Sequence, residues 1–382
     1  MKRVGVIGGG QLAWMMGDAA KKLGVELVVQ TPNRNDPAVS IAQDKVFAAV
    51  DDAVATEVLA TKSDVITFEN EFVNLDALSV LAGQGVCFRP NLAALAPLLD
   101  KYHQRCYLRD LKLPVPQFFA LEEQEDIASK IEYLGFPLVL KSRRHGYDGQ
   151  GTFIIQDLAA LQQKLNSSNI TLFLIEQFVP FARELAVIAA RSVEGEVVTY
   201  PVVETQQEQQ VCRRVIAPAD ITLHQATEIE AIAHTLLNSL QVVGVFGIEL
   251  FLTNNGQVLI NEIAPRTHNS GHFSLDACET SQFEQHLRAV CGMPLGNPVL
   301  QCPSAVMVNL LGYENSHSNY HSQRQQLAAI PRAFVHWYGK TTSRPGRKLG
   351  HVTVLLDDQN QDTASTIAHN IEFIWYPSQI RS

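Results

Sequence analysis

The chain has 382 residues, of which 46% are hydrophobic and 18% charged, and its formal net charge is −9. That length carries two or three domains with ample core, and the acidic balance argues against a nucleic-acid partner while leaving room for a local basic pocket. No apolar run reaches the ~18 residues of a membrane span, six scattered cysteines without a C-x-x-C pair argue against a zinc or redox site, and the lack of a secretory leader points to a reduced, cytoplasmic protein.

Residues 1–95 alternate strand and helix signals. "RVGVIG" reads as a strand, Gln11–Leu23 as a helix and "VELVVQ" as a second strand, with "KVFAAV", "DVITFE" and "GVCFRP" as further short strands. This alternation predicts a covered parallel sheet. Gly8, Gly10 and Ala13 satisfy the spacing G-x-G-x-x-G/A. A dinucleotide site also needs an acid at the end of the second strand, and Gln30, Thr31 and Pro32 stand there instead. An NAD-dependent oxidoreductase is therefore disfavoured. Two readings of the turn stay open: backbone N–H groups holding a phosphate at a helix N-terminus, or glycines making a tight turn.

"KLPVPQF" (112–118) reads as a linker after a helix. The middle region, 96–293, has an α+β texture. "FPLVLKS" is a strand with Lys141 at its end, "RRHGYDGQG" a polar loop, and "TFIIQ" the returning strand. "TLFLIEQFV" and "RELAVIAARS" are further strands, the latter pairing with "GEVVTYPVV" through a turn at Gly195. A helix spans about 220–240. Asn254, Asn255 and Gly256 then turn a hairpin inside "VFGIELFLTNNGQVLINEIAPR". Proline and glycine density in "MPLGNPVLQCPS" marks a boundary near 294. Beyond it come a strand ("AVMVNLLG"), a polar helix near 321–329, a strand–basic loop–strand unit in "HWYGKTTSRPGRKLGHVTVLL", and a helix near 363–371.

Three constellations carry chemistry. Lys141 beside a loop with Gly146, Gly149 and Gly151 suits a flap over polyphosphate; the plain alternative is a hairpin with a polar loop. No Walker motif is present, because no Lys–Ser or Lys–Thr follows these glycines. Glu249 and Glu262 sit in very apolar strands on either side of the hairpin turn. A charge in such a setting wants a partner, and paired carboxylates with Asn261 suit Mg²⁺. Arg266, His268, Asn269, Ser270 and His272 crowd "APRTHNSGH" directly after them, a set of anion donors suited to an acyl phosphate.

These residues make the chain similar, over its whole length, to the ATP-grasp superfamily, and most closely to the 5-(carboxyamino)imidazole ribonucleotide synthase family. The resemblance rests on "GGGQL" (8–12), "TFENE" (67–71), "GYDGQG" (146–151), "INEIAPRTHNSGH" (260–272) and "RPGRKLGH" (344–351). It implies an ATP-grasp fold: a Rossmann-like pre-ATP-grasp domain (1–95), a two-lobed ATP-grasp domain (96–293) and a small β-rich C-terminal domain (294–382). It implies a ligase of purine biosynthesis that joins bicarbonate to the amine of 5-aminoimidazole ribonucleotide, with ATP as co-substrate and carboxyphosphate as intermediate. Lys101 and Lys141 would contact phosphates, under a loop of Gly146, Tyr147, Asp148, Gly149, Gln150, Gly151 and Thr152. Glu176, Gln177, Phe178 and Val179 would read adenine, Glu184 would hold ribose, and Gln207 would approach ATP. Glu249 and Glu262, with Asn261 beside them, would bind Mg²⁺ (or Mn²⁺). Arg266 and His268 would bind bicarbonate. Tyr147, Asp148, Glu71 and Glu69 would position the aminoimidazole and manage its proton. Its ribose phosphate would meet Lys340, Arg347 and Lys348 with Asn269, Ser270, Gly10 and Gln11.

A homodimer is implied, with no nucleic-acid or membrane partner. The chain departs from the family pattern at His145, where a glycine is usual, at Gln150, where a basic residue is usual, at Gln207, where histidine is usual, and at Lys101, where arginine is more usual. A formate-dependent phosphoribosylglycinamide transformylase is the alternative within the superfamily; "RTHNSGH" favours bicarbonate. A non-catalytic relative would have lost Glu249 and Glu262.

Overall fold

The structure is a computed structural model and describes residues 1–121, 127–144, 151–166, 170–208 and 210–376. His145, Gly146, Tyr147, Asp148, Gly149 and Gln150 lie outside the described residues.

The N-terminal region is a four-stranded parallel sheet in the order β3-β2-β1-β4. Its strands are β1 (Arg3–Ile7), β2 (Glu26–Thr31), β3 (Asp44–Phe47) and β4 (Val65–Phe68). Between β1 and β2 lies α1 (Gln11–Leu23), which ends at Gly24 in the left-handed conformation, with Lys21 and Lys22 in its last turn facing the negative end of the helix dipole. Side-chain oxygens of Asp52, Asn74 and Asn91 cap α2 (Ala53–Thr61), α3 (Leu75–Gly83) and α4 (Leu92–Leu95). The segment "GVCFRP" differs from its expected strand. It contributes only a bridge from Phe88 to Ile66, since Pro90 has no N–H with which to extend a ladder.

A second, antiparallel sheet has the order β5-β8-β6-β7. It follows α5 (Lys101–Asp110) and is built from β5 (Phe118–Ala120), β6 (Leu138–Ser142), β7 (Thr152–Ile155) and β8 (Phe173–Gln177), with α6 (Ile127–Leu134) and α7 (Leu158–Asn166) between them.

The third sheet is the largest and crosses the boundary expected at 294. It contains β9 (Phe181–Arg191), β10 (Val197–Thr199), β11 (Val203–Glu208), β12 (Val211–Ala217), β13 (Gly244–Thr253), β14 (Val258–Ala264), β15 (Ser304–Leu311), β16 (Ala333–Trp337) and β17 (Lys348–Leu356). The order is β14-β13-β9-β11-β12-β15-β17-β16, with β10 also paired to β9. The C-terminal strands thus extend the sheet of the middle region through the antiparallel pair β12–β15.

One face is covered by α8 (Leu223–Leu240), whose Ile229, Ile232, Ala233, Leu236, Leu237 and Leu240 recur at helical spacing and are buried. Full burial of each large aliphatic side chain contributes about 1.5–3 kcal/mol. The short α9 (Ser274–Ala277) leads into α10 (Gln282–Cys291). Phe283, Leu287 and Val290 of α10 share a core with Leu12, Met15 and Met16 of α1. That packing sets the 264–272 loop and the start of α1 on one cavity. After α11 (His321–Ala328), the last helix, α12 (Gln361–Trp375), runs longer than expected. Ile371 and Trp375 bury in the C-terminal core, and the Trp375 indole donates to the Leu311 carbonyl at 2.8 Å. Among the described residues no helix is long and apolar enough to cross a membrane.

Candidate active site

Two cavities meet along one wall. The first, about 520 Å³, lies between the N-terminal sheet, the 264–272 loop and the start of β17. The second, about 500 Å³, lies between β6–β8 and the β9–β11–β13–β14 face. Gln207, Gln210, Glu249 and Glu262 line both.

The shared wall follows from the hairpin's register. Glu249 pairs with Glu262, and the next pair is Leu250 with Ile260, so Asn261 is an extra residue in β14. A bulge of this kind re-aims side chains that strict alternation would send to opposite faces. Asn261 and Glu262 consequently both reach the cavity, although they are adjacent. Asn261 Nδ2 donates to Glu249 Oε2 at 3.4 Å, and its Oδ1 accepts from Lys141 Nζ at 3.0 Å.

The outer edge of β14 is covered by α5 and the linker behind it. Ile260 N–H donates to the Pro114 carbonyl at 2.8 Å, and Gln104 Oε1 accepts from Ile263 N–H at 3.0 Å. Edge coverage satisfies backbone groups and also fixes the helix. Lys101 and Arg105, four residues apart, therefore face the same wall. Lys101 pairs with Glu262. Arg105 is 2% exposed; its Nε and Nη2 grip the Glu176 carboxylate at 2.5 and 3.2 Å, and Nη2 also donates to the Asn261 carbonyl at 2.6 Å. Lys141 Nζ adds a second cation to Glu176 at 2.8 Å.

Burial opposes ionisation of Glu176, but the charges and hydrogen bonds of Arg105 and Lys141 outweigh it and hold the carboxyl at about 2. Burial lowers the Lys141 ammonium, with Glu176 pulling the other way. The Glu176 carboxylate is thus engaged by Arg105 and Lys141, and Gln177, Phe178 and Val179 form the neighbouring wall with Thr152 across from them. Glu184, on β9, is pushed up to about 7 by burial and the charge of Glu249.

At the shared wall the two carboxylates behave oppositely. Burial and the neighbouring charge of Glu262 raise Glu249. Burial also opposes ionisation of Glu262, but Lys101 outweighs it and holds Glu262 down. Two clustered carboxylates and an amide oxygen, opening onto a cavity, fit a hard oxygen-seeking cation such as Mg²⁺.

The first cavity is built differently. Arg266 makes a two-pronged pair with Glu71, at 2.6 and 3.0 Å. Burial works against the Glu71 carboxylate, yet Arg266 holds it below its ordinary value. His268 reaches Glu249 at 3.4 Å through Nε2 and Ser270 Oγ at 2.8 Å through Nδ1. Its backbone is clamped by the Gln282 amide, which accepts from the His268 N–H at 2.9 Å and donates to its carbonyl at 2.7 Å. Asn269 and Asn309 exchange amide hydrogen bonds at 3.0 and 2.7 Å.

The glycine turn faces Glu69. A Cβ at Gly8 or Gly10 would overlap the Glu69 carboxylate, and Gly8 has φ +113°. N–H groups of Gly10 and Leu12 serve the carboxylate, and Arg266 lies nearby, yet burial still pushes Glu69 up to about 7. The sequence placed a ribose phosphate against this turn; in the structure its N–H groups serve a carboxylate of the chain itself, and Gln11 and Leu12, not Gly10, reach the cavity.

The expected phosphate ligands divide. Lys348 lines the first cavity. Lys340 Nζ donates to Gln11 Oε1 at 2.9 Å and to the Lys348 carbonyl at 2.7 Å, which places it at that cavity's edge. Arg347 and Ser270 are absent from the lining. Arg347 donates to the Thr342 carbonyl at 2.6 Å, and Ser270 is buried against His268.

Arg105, Gln210, Gln282 and Asn309 escaped the sequence reading. Only Arg105 carried a signal, its four-residue spacing from Lys101.

Comparison with known proteins covers the whole chain. The ATP-grasp domain family matches residues 106–283, the ribonucleotide synthetase preATP-grasp domain residues 1–97, and the phosphoribosylaminoimidazole carboxylase C-terminal domain residues 305–365. The N5-carboxyaminoimidazole ribonucleotide synthase of Synechococcus elongatus is 55% identical over 379 residues, covering 98% of this chain and 96% of the relative. The crystal structure of carboxyaminoimidazole ribonucleotide synthase from Aspergillus clavatus complexed with ATP superposes with a TM-score of 0.91 at 32% identity, covering 100% of this chain and 99% of the other. The Aspergillus clavatus enzyme in complex with ADP and 5-aminoimidazole ribonucleotide gives 0.89 at 31% identity, covering 98% of each chain.

Proposed function

The chain belongs to the N5-carboxyaminoimidazole ribonucleotide synthase family of ATP-grasp ligases, and on that premise we propose how its residues divide the work of the reaction. The fold is ATP-grasp, with a pre-ATP-grasp region before it and a β-rich C-terminal region after it. The activity is ATP-dependent carboxylation of 5-aminoimidazole ribonucleotide in purine biosynthesis.

One observation carries the division of labour: two cavities share a wall made of Glu249, Glu262, Gln207 and Gln210. ATP occupies the second cavity. Its adenine lies against Gln177, Phe178 and Val179, its ribose hydroxyls meet Glu184, and its phosphates meet Lys141 and Lys101, which exchanges Glu262 for phosphate oxygens. Glu249, Glu262 and Asn261 hold Mg²⁺ or Mn²⁺, which when bound offsets the charge of the polyphosphate.

The γ-phosphate then points across the shared wall into the first cavity. A bicarbonate oxygen attacks it and ADP leaves, forming carboxyphosphate. Arg266 and His268 offer positive charge and hydrogen bonds to the developing oxyanion. Carboxyphosphate releases CO₂ and phosphate, and the exocyclic amine of the aminoimidazole forms the new C–N bond and loses a proton. Glu69, pushed up to about 7, matches the pH at which a general base works best, and Glu71 holds Arg266 in place. Tyr147 and Asp148, which lie outside the described residues, help to position the aminoimidazole. Lys340 and Lys348 take the ribose phosphate, with Gln11 and Asn269 beside it. Arg347 and Ser270 support that pocket from behind. We also assign the chain to a homodimer, which light scattering tests.

The deciding assay is ADP release with bicarbonate, with and without 5-aminoimidazole ribonucleotide. Stimulation by that nucleotide is expected; a folded protein that shows none overturns the assignment.

A further inference from the structure

A separate cluster lies behind the first cavity, where α9 meets β16 and β17. Asp276 and the two histidines His336 and His351 place one ligand atom each within 4.8 Å of one another, the one group of three such residues among those described. The histidines face each other across the β16–β17 pair, with rings nearly parallel (18°) and centroids 4.5 Å apart. His336 Nε2 lies 2.9 and 3.1 Å from the two Asp276 oxygens.

His351 is fully buried, and the Tyr338 hydroxyl lies 2.8 Å from its Nδ1. Its Nε2 is buried and has no hydrogen-bond partner. Leaving a buried nitrogen unpaired is costly, and such orphans commonly mark a water or ion. Anchoring one ring nitrogen while leaving the other free is also how ligating histidines are held.

We propose that Asp276, His336 and His351 form a binding site for a divalent transition-metal ion, with Zn²⁺ the closest chemical match. Two imidazoles and one carboxylate suit Zn²⁺ and its neighbours; Mg²⁺ prefers oxygen ligands throughout. The site does not depend on the carboxylate pair at Glu249 and Glu262, nor on the reaction assigned above. Three protein ligands leave a fourth position for water, and a cleft of about 510 Å³ with Asp276 and His336 in its wall supplies the entry path.

Chelation at Zn–N distances of 2.0–2.1 Å brings donors to about 3.3 Å from each other. Parallel rings carry their lone pairs in separate planes, so His336, 25% exposed at its side chain, turns out of the stack to chelate while His351 stays fixed. Burial keeps His351 neutral by pushing its pKa well below the usual histidine value, so no proton need leave it. The bound ion would pin α9 to the two strands that flank the Lys340–Lys348 loop. The cysteine pattern could not reveal this site, because its ligands are 15 to 75 residues apart and include no cysteine.

The test uses the full chain freed of metal by chelator and dialysis, then titrated with Co²⁺ alone and with Zn²⁺ in excess Mg²⁺. One equivalent should bind, with visible Co²⁺ bands displaced by Zn²⁺. Affinity should fall at least about tenfold in His336→Gln and in Asp276→Asn, and persist in Glu262→Gln. Zn²⁺ should also raise the thermal midpoint of the wild-type chain in excess Mg²⁺, a readout that holds even if a variant folds poorly. Absence of stoichiometric binding, binding indifferent to both variants, or binding lost only in Glu262→Gln overturns the proposal. A water bridging His351 and the equally unpaired His272 would then account for both orphan nitrogens.

Discussion

The two cavities share a wall, yet one carboxyl beside each, Glu176 and Glu69, is held in opposite ways. In the cavity proposed for ATP, Arg105, Glu176, Lys141 and Asn261 form a network in which each charge has a partner, and Glu176 is held at about 2. On the other side Glu69 stands near 7, despite a helix N-terminus that serves it. A network of satisfied charges fixes geometry, whereas a carboxyl near neutrality moves protons. Binding polyphosphate needs the first property, and deprotonating an amine needs the second.

The comparison breaks most completely at the shared wall. Glu262→Gln removes a proposed metal ligand and the partner of Lys101, and should lower ATP turnover by about 10³-fold or more, measured as ADP release at saturating substrates. Retained turnover would sink the shared-wall account.

Arg105→Ala tests the ATP side alone. It leaves Glu176 with one cation in a buried site and should cost about 3 kcal/mol of stability, read by denaturant unfolding. It should also raise the KM for ATP with little change for the aminoimidazole nucleotide. Arg105→Lys should recover only part of this, since an ammonium cannot grip a carboxylate with two prongs. The pH dependence has a definite sign. Glu176 is lowered from 4.5 to about 2, so its contribution to stability is complete above pH 4.5 and is lost as the pH falls toward 2. In Arg105→Ala that acid limb should move to higher pH.

Glu69→Gln tests the substrate side alone. Turnover should drop by about 10²-fold, and the limb of the pH–rate profile near 7 should disappear. Stability should change in the reverse sense to Glu176. A carboxyl raised from 4.5 to about 7 favours the folded state below pH 4.5, and that contribution is lost as the pH rises through 7. The variant should therefore gain on the wild type at pH 8, by on the order of 1 kcal/mol, and show no gain at pH 4. The smallest effect belongs to the cavity edge. Lys340→Ala should raise the KM for the aminoimidazole nucleotide by about tenfold and leave that for ATP alone. An unchanged nucleotide KM would remove Lys340 from that site.

Legibility followed the range of the interactions. Glu249 and Glu262 stood out because a charge in an apolar strand is rare, and the Asn254–Gly256 turn announced that their strands pair. The neighbours of Glu176 were invisible. Arg105 on a helix reads as a solvated residue until β8 is packed against it, and Glu176 reads as a free acceptor until two cations occupy it. The C-terminal strands read as a separate unit because nothing local reports that β12 and β15 hydrogen-bond.

By itself the sequence determined the strand–turn–helix at 3–23, the hairpin that pairs the strands of Glu249 and Glu262, and the residue types gathered at 261–272. Each depends on backbone conformation and side-chain periodicity within a few residues. Only the tertiary structure decided that the glycine turn serves Glu69, that a bulge turns Asn261 and Glu262 into one cavity, and that Lys340 rests on Gln11. Those outcomes join residues as far apart as 71 positions for Arg105 and Glu176 and 329 for Lys340 and Gln11. Contacts of that range are set by how whole layers pack, which no local pattern of polar and apolar residues encodes.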